Sequence, residues 1–367
     1  MKKPRHVLGI SGGKDSAALA IYLKTKYPNL DIEYYFCDTG KELDETKHLI
    51  EELEVFLGKE IKRLRAARGS SEDPFDHYHK LFGGYLPSSS ARWCTKKLKL
   101  EPFEEFVGSD PVISYVAIRG DEEREGYISK KSNIQSIFPF RKNIWSEDVI
   151  RKVLSNENIT TIASLYSKVV SDGQLVRILD VVNTPTSLAY KPDNKLNSLL
   201  DLGISLFNKV VFEFLKNTDY PLSKCDDFTL LDNEDVLVRD DIFQIFADYG
   251  VTVPSYYNKV NFQVNEKIGH YARSRSGCFF CFFQQKIEWV WLLENHPDLF
   301  NKAMKYEKDG YTWNQNESLA ELSQPKRVKQ IKEDYLKNSN HKNTLNSPYL
   351  IDILEETEKD GCSICFI

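Results

Sequence analysis

The sequence predicts an α/β fold: a parallel sheet with helices on both faces, a helical insertion, and a helical C-terminal region that carries cysteines. Three observations carry that prediction. Apolar runs of strand length alternate with helical stretches through the N-terminal part of the chain, the pattern of a parallel sheet wound through crossover helices. The first strand runs into a junction rich in glycine and serine, and in open α/β sheets such junctions sit where ligands bind. The composition, 41% hydrophobic and 28% charged over 367 residues, is that of a globular chain long enough for two domains or for one large domain with an insertion.

Taken in order, RHVLGIS reads as a buried strand, and Ser16 to Lys26 as a helix carrying Leu19, Ile21, Tyr22 and Leu23. DIEYYFCDT is a second strand. Leu43 to Leu57 is a helix that brings Leu49, Leu53, Phe56 and Leu57 to one face. KEIKRLR and PVISYVAIRG are the third and fourth strands. Ser146 is placed to cap a helix with Glu147 and Asp148 in its first turn, where carboxylates meet the positive end of the helix dipole. From about 155 to 235 the pattern turns helical and polar, with turn signals at SDG and KPDNK, and reads as an inserted helical lobe. RDDIFQIFADYGV and a helix around Glu288 to Glu294 lead into a helical C-terminal part, where Pro297 starts a further helix. No internal repeat or low-complexity tract interrupts the chain.

The net charge of −5 excludes a global basic field, so any grip on nucleic acid must come from local patches. No apolar run approaches the roughly 20 residues of a membrane-spanning helix. The apolar stretch in MKKPRHVLGIS is too short for a secretion signal, which makes the cytoplasm the expected compartment. The seven cysteines are Cys37, Cys94, Cys225, Cys278, Cys281, Cys362 and Cys365. An odd count without a secretion signal argues against a disulfide framework, and the two Cys-x-x-Cys pairs point to metal or redox work. The pair in RSRSGCFFCFFQQK is by itself ambiguous between half a zinc site, a redox pair and part of an iron–sulfur site. Cys37, inside a strand, reads as a small buried core residue.

Ser11-Gly12-Gly13-Lys14-Asp15-Ser16 lacks the four-residue spacer of the Walker phosphate loop. Its chemistry nonetheless suits an anion. Gly12 and Gly13 let the backbone approach closely, the helix start offers N–H groups and a positive dipole end, Ser11 and Ser16 add hydroxyls, and Lys14 adds charge.

The hexapeptide resembles the signature of the PP-loop ATP pyrophosphatases, in the branch that includes the phosphoadenylylsulfate (PAPS) reductases. Three further stretches resemble the same branch. DTGKELDET supplies Asp38, Thr39, Gly40, Glu42 and Glu45, and ARWCTKKLK supplies Arg92, Cys94, Thr95 and Lys99. AIRGDEEREG supplies Arg119, Glu122, Glu123 and Arg124. The resemblance covers roughly residues 7–150 and implies a Rossmann-like adenine nucleotide alpha-hydrolase fold. It implies domains at 1–150 (PP-loop), 151–240 (helical insertion) and 241–367 (helical, with the Cys-x-x-Cys). It implies ATP cleaved between its α- and β-phosphates, with Lys14, Asp15, Asp38 and Arg119 as catalytic residues. Ser11, Gly12, Gly13, Lys14, Asp15, Ser16, Asp38 and Arg92 would bind the nucleotide. A carboxylate such as Asp38 or Asp15 can hold Mg²⁺, and Arg119 and Arg92 can neutralise charge on a leaving pyrophosphate or sulfate-like group. Glu42 and Glu45 read as helix-start charges rather than catalytic groups.

The family pattern places Cys94 beside the nucleotide crevice, so Cys94, Cys278 and Cys281 become a three-thiolate set for an iron–sulfur cluster, with zinc as the alternative. Cys225 and the GCSIC stretch remain open as further ligands. The inserted lobe and the Cys-Phe-Phe-Cys-Phe-Phe-Gln-Gln stretch look most like the ATP pyrophosphatase subunits of DNA phosphorothioation systems, used against phage. Their likeness implies DNA and a cysteine desulfurase as partners, with Thr95 to Lys99, RKNIW and KRVKQIK as local phosphate contacts. Two other classes stay in play. A reductase or transferase of adenylylated sulfate is disfavoured by EKDGCSICFI, which departs from the Glu-Cys-Gly-type motif of such enzymes. An inactive nucleotide-binding subunit is disfavoured by the intact loop, Asp38 and Arg119.

Overall fold

The computed structural model describes residues 2–122, 131–170, 173–275, 277–308, 310–314 and 317–341. Five short strands form one sheet: β1 (Arg5–Gly9), β2 (Ile32–Asp38), β3 (Ile61–Arg65), β4 (Val112–Tyr115) and β5 (Ile134–Ile137). Their order is β3-β2-β1-β4-β5 and every pairing is parallel. Val7 of β1 lies opposite Glu33 of β2 and Ser114 of β4. Helix α1 (Lys14–Lys26) carries the chain from β1 to β2, and α2 (Asp44–Leu57) from β2 to β3. The chain then passes to the other side of β1 to lay down β4. Winding therefore reverses between β1 and β4, and the crevice at the carboxyl ends of those strands is where an open α/β sheet binds its ligand.

The sequence dictates these elements plainly. Residues Val7 and Leu8 of β1 are wholly buried, and α1 is buried from Lys14 through Leu23, so it is an interior helix. The periodic Leu49, Ile50, Leu53 and Leu57 bury one face of α2, which ends on the left-handed Gly58. Helix α1 starts at Lys14, two residues before the start expected from the sequence, so Lys14 and Asp15 lie in its first turn. The pathway from β3 to β4 runs through α3 (Pro74–Leu81) and a continuous helical stretch of Trp93–Thr95, a π-turn over Lys96–Leu100, and Glu101–Val107.

The described residues between 155 and 235 are mainly helical, as expected, with Ile159–Val169, Gln174–Asn183, Pro192–Leu202 and Ile204–Leu215 as the main helices. Their apolar faces (Ile162, Tyr166, Ile178, Phe207 and Val211) merge with Leu8, Leu19 and Phe36 in one core. Within it Trp145 donates from Nε1 to Asn208 Oδ1 at 2.8 Å. A second core, built on Leu43, Phe75, Leu98, Tyr256, Phe280, Trp289 and Trp313, joins the C-terminal region to α2 and α3. That region is helical, with Lys286–Asn295, Pro297–Met304 and Pro325–His341 as its longer helices. It also holds a hairpin, β6 (Val260–Val264) and β7 (Lys267–Tyr271), turning on Asn265 and Glu266 with φ of 46° and 62°. Among the described residues no helix is long and apolar enough to cross a membrane.

Candidate nucleotide site

At the end of β1 the chain folds into a compact loop stitched by its own serines. Ser11 N–H donates to Ser16 Oγ at 3.0 Å, the two hydroxyls lie 3.0 Å apart, and Ser16 Oγ donates to Gly13 O at 3.1 Å. Gly12 takes φ +76°, and a Cβ built there would lie 2.2 Å from Thr46 Cγ2 of α2, so the loop packs too closely on α2 for any side chain. The loop delivers its last residues into the first turn of α1, where backbone N–H groups and the helix dipole favour an anion.

Around that turn lies an ion cluster drawn from two strand ends. Asp15 receives Lys14 Nζ at 2.9 Å and Arg119 Nη1 at 2.8 Å, one on each oxygen. Arg119 follows β4, so the β1–β4 reversal is what brings it to Asp15. Its guanidinium also pairs with Glu122 at 2.9 Å and Asp121 at 2.8 Å. Burial pushes the Asp15 carboxyl up, but Lys14 and Arg119 together outweigh it and hold it below the usual carboxylate range. Burial opposes the charge on Arg119 as well, yet Asp15 and Glu122 hold its pKa above the ordinary value. Asp15 therefore serves as the anchor that fixes two cations at the loop, and its charge is already used in doing so.

Two tyrosines from the C-terminal region close on the same loop. Tyr256 donates to Gly12 O at 2.9 Å, and Tyr257 Oη accepts from Lys14 N–H at 3.4 Å. The Lys14 ammonium stands 5.2 Å from the centre of the Tyr257 ring, within cation–π range. Nothing in the local sequence of either tyrosine announces this role.

The end of β2 forms a second wall. Asp38 Oδ1 accepts from Gly40 N–H at 2.9 Å, and half-buried Asp38 lies beside a tight turn. Half-buried Glu42 folds back on that turn, accepting from Thr39 N–H at 3.1 Å, Thr39 Oγ1 at 2.5 Å and Lys41 N–H at 3.1 Å. Burial raises its carboxyl above the ordinary range. The Cys278 segment docks here: Glu42 and Cys278 form an antiparallel bridge, Phe279 N–H donates to Lys41 O at 2.9 Å, and Cys278 Sγ lies 3.2 Å from Thr39 Oγ1. A small cavity between the walls is lined by Ser11, Thr39, Glu42, Lys99, Gly277 and Cys278. Glu42, read from sequence as a helix-start charge, is thus the bracket of this wall.

The sequence-predicted residues divide accordingly. Ser11 to Ser16 and Arg119 converge on one site, with Asp38 and Lys99 on the adjoining wall. Arg92 stacks its guanidinium 5.0 Å from the centre of the Phe283 ring, so it is brought together with the Cys-x-x-Cys segment. Cys37 is buried and its thiol pushed up to about 12, as befits a core residue. Among the described residues, no group of three or more His, Cys, Asp and Glu side chains is gathered to hold a metal. Burial, reinforced by Glu42, pushes the Cys278 thiol up and favours its protonated form, and its sulfur is engaged with Thr39. No such group joins Cys94, Cys278 and Cys281, so the expected iron–sulfur or zinc centre has no support among the described residues. Glu123, Arg124, Cys362 and Cys365 lie outside the described residues. Of the proposed phosphate contacts, Lys97 pairs with Glu101 at 2.8 Å, while Lys142 and Arg327 pair with Asp201 and Glu317.

Residues 5–169 match the family model of the phosphoadenosine phosphosulfate reductase domain, which supports the PAPS reductase family for that segment. Two uncharacterized proteins of Methanocaldococcus jannaschii are similar to this chain, 35% and 31% identical over 159 residues, or 40% of the chain in each case. The matched segment is 31% of the first relative and 36% of the second, so the chain spans about a third of the length of the curated relatives it matches.

Proposed function

We propose that this protein is an ATP pyrophosphatase that activates an acceptor for sulfur insertion, the acceptor being a phosphate of the DNA backbone. The observation that carries the reading is the convergence of the Ser11–Ser16 loop, the first turn of α1 and the Lys14–Asp15–Arg119 cluster at the β1–β4 reversal. This chemistry is matched to a polyphosphate. An acceptor oxygen bonds to the α-phosphorus, the α–β bridge breaks, and pyrophosphate leaves with one more unit of negative charge than its two phosphates carried in ATP. Lys14 and Arg119 neutralise that charge, Asp15 keeps both aimed, and the backbone N–H groups of the first turn of α1 donate to phosphate oxygens. The terminal sulfur of a persulfide made by a cysteine desulfurase then attacks the activated phosphorus and displaces AMP, and an external thiol reduces the resulting P–S–S–Cys bond to leave the phosphorothioate. Such a modification belongs to defence against phage.

Mg²⁺ supplies charge neutralisation on the phosphates when bound with ATP. Asp38 is the carboxylate fitted to hold it, because Mg²⁺ takes one or two protein carboxylates and completes its shell with phosphate and water. Asp15, doubly ion-paired, is not.

The test is product analysis with ATP and Mg²⁺. AMP and pyrophosphate are expected, with Arg119→Ala lowering the rate by about 10²-fold, the usual loss for a charge-stabilising group. ADP and phosphate as products refute the reading. A second reading, reduction of an adenylylated sulfate, is favoured by the family model matched at residues 5–169. It requires sulfite release from that substrate without any DNA.

A further inference from the structure

We infer that Arg273 is a positioning residue that holds the phosphate loop and the second wall of the nucleotide site in register; the inference rests on the nucleotide reading proposed above. Arg273 follows β7 and is only 1% exposed. Its guanidinium carbon stands 5.6 Å from the centre of the Trp291 ring and 5.9 Å from that of Tyr256, within cation–π range of both. Nη2 donates to Cys278 O at 2.9 Å, while buried Nε and Nη1 find no hydrogen-bond partner among the described residues. A guanidinium buried with unmet donors costs stability, and an apolar chain of similar length would fill the same space at lower cost. Packing alone therefore does not account for an arginine here.

The arginine supplies two grips, one toward each wall. Its backbone N–H donates to Tyr256 O at 3.0 Å and its side chain lies over the Tyr256 ring, whose hydroxyl donates to Gly12 O at 2.9 Å. Burial pushes that hydroxyl up to about 12, so it stays protonated and donating. On the other side, Nη2 fixes the Cys278 carbonyl, and Cys278 and Phe279 dock on the turn after β2. Cys278 bridges Glu42, and Phe279 N–H donates to Lys41 O at 2.9 Å. Glu42 in turn holds the Thr39 and Lys41 N–H groups beside Asp38, the carboxylate fitted to hold Mg²⁺. The phosphate loop and this turn end different strands, β1 and β2, and Arg273 touches the partner of each. A nucleotide bound with its metal spans both, so their spacing sets the reacting geometry.

The experiment compares wild type, Arg273→Met and Arg273→Lys in the full chain by steady-state pyrophosphate release, hydrogen–deuterium exchange and urea denaturation. Methionine keeps the filling between the rings and removes the donor to Cys278 O. It is expected to lower kcat by about 10²-fold, the loss that a misplacement of about 1 Å away from the chemistry brings. KM for ATP should change little, because the loop's own serine hydrogen bonds remain. Exchange should rise in peptides covering residues 11–16 and 39–43 and stay at the wild-type level in Ile204–Leu215, with the urea midpoint close to that of wild type. Lysine keeps a charge and a donor for Cys278 O, and should return most of the rate and the protection of 39–43. Exchange that rises throughout the chain with a lowered urea midpoint, or an Arg273→Met chain that does not fold, assigns Arg273 to general stability and overturns the inference. So does wild-type exchange at both loops in Arg273→Met, or an Arg273→Lys chain that loses the protection of both. The exchange measurement stands apart from the reaction: a wild type that releases no pyrophosphate loses the proposed function, while loops loosened only in Arg273→Met keep the positioning role.

Discussion

At Gly12 the carbonyl is held by Tyr256, φ is +76°, and the missing Cβ leaves room for Thr46 of α2. Gly12→Ala should therefore carry two separable penalties: left-handed strain of about 1–2 kcal/mol, and a clash with the Thr46 methyl. Thr46→Ser removes that methyl, so the double variant should recover the clash and keep the strain. Urea denaturation of the single and double variants checks this, and equal stability of the two would show that the close approach is not the cause. At this scale the loop was legible because its six residues are consecutive, and each brings a chemistry that can be judged alone. Thr46, Tyr256 and Tyr257 were not legible, since their value lies in contacts across long stretches of chain. Asp15 was legible as a site residue, but its place between Lys14 and Arg119 was not, since Arg119 lies far along the chain.

Among the elements, the first four strands, α1 and α2 were readable because their apolar spacing is long and regular. Strand β5 was not, for it has four residues, IQSI, all buried, with two polar side chains that break the pattern. The β6–β7 hairpin alternates only weakly in burial and turns on Asn-Glu, without the Asn-Gly or Asp-Gly pair that announces such turns. The short helical turn Ser255–Tyr257, just ahead of that hairpin, is the element that closes the loop site. Tyr256→Phe leaves the ring in the second core but strands the Gly12 carbonyl, and is expected to cost about 1–3 kcal/mol, the penalty for an unmet buried acceptor. Tyr257→Phe keeps the ring beside Lys14 and loses the longer, 3.4 Å contact with its N–H and the hydroxyl contact with Tyr256, neither of which leaves a backbone carbonyl stranded, so its cost should be smaller. Chemical denaturation orders the two variants, and a larger loss in Tyr257→Phe would contradict the assignment of the principal latch to Tyr256.

In the whole molecule two apolar cores meet at the nucleotide site. The first runs from the sheet through the helical lobe, and the second joins the C-terminal region to α2 and α3. Val253 packs against both. The Tyr256–Gly12 and Phe279–Lys41 hydrogen bonds tie the second core to loops that follow strands of the first. If those ties couple the cores, damage deep in the lobe must be felt in the C-terminal region. Phe207 is wholly buried in the first core, and Phe207→Ala should cost about 3–5 kcal/mol. The tryptophans make the coupling visible: Trp93, Trp289, Trp291 and Trp313 belong to the second core, and Trp145 to the first. Tryptophan fluorescence therefore reports mainly on the C-terminal region, while the lobe's helices contribute to far-UV circular dichroism. In Phe207→Ala the two transitions should move to lower urea together and stay coincident, the mark of a single cooperative unit. A circular dichroism transition that shifts while the fluorescence midpoint stays where it was would separate the cores, leaving the nucleotide site as a junction between independently folding parts.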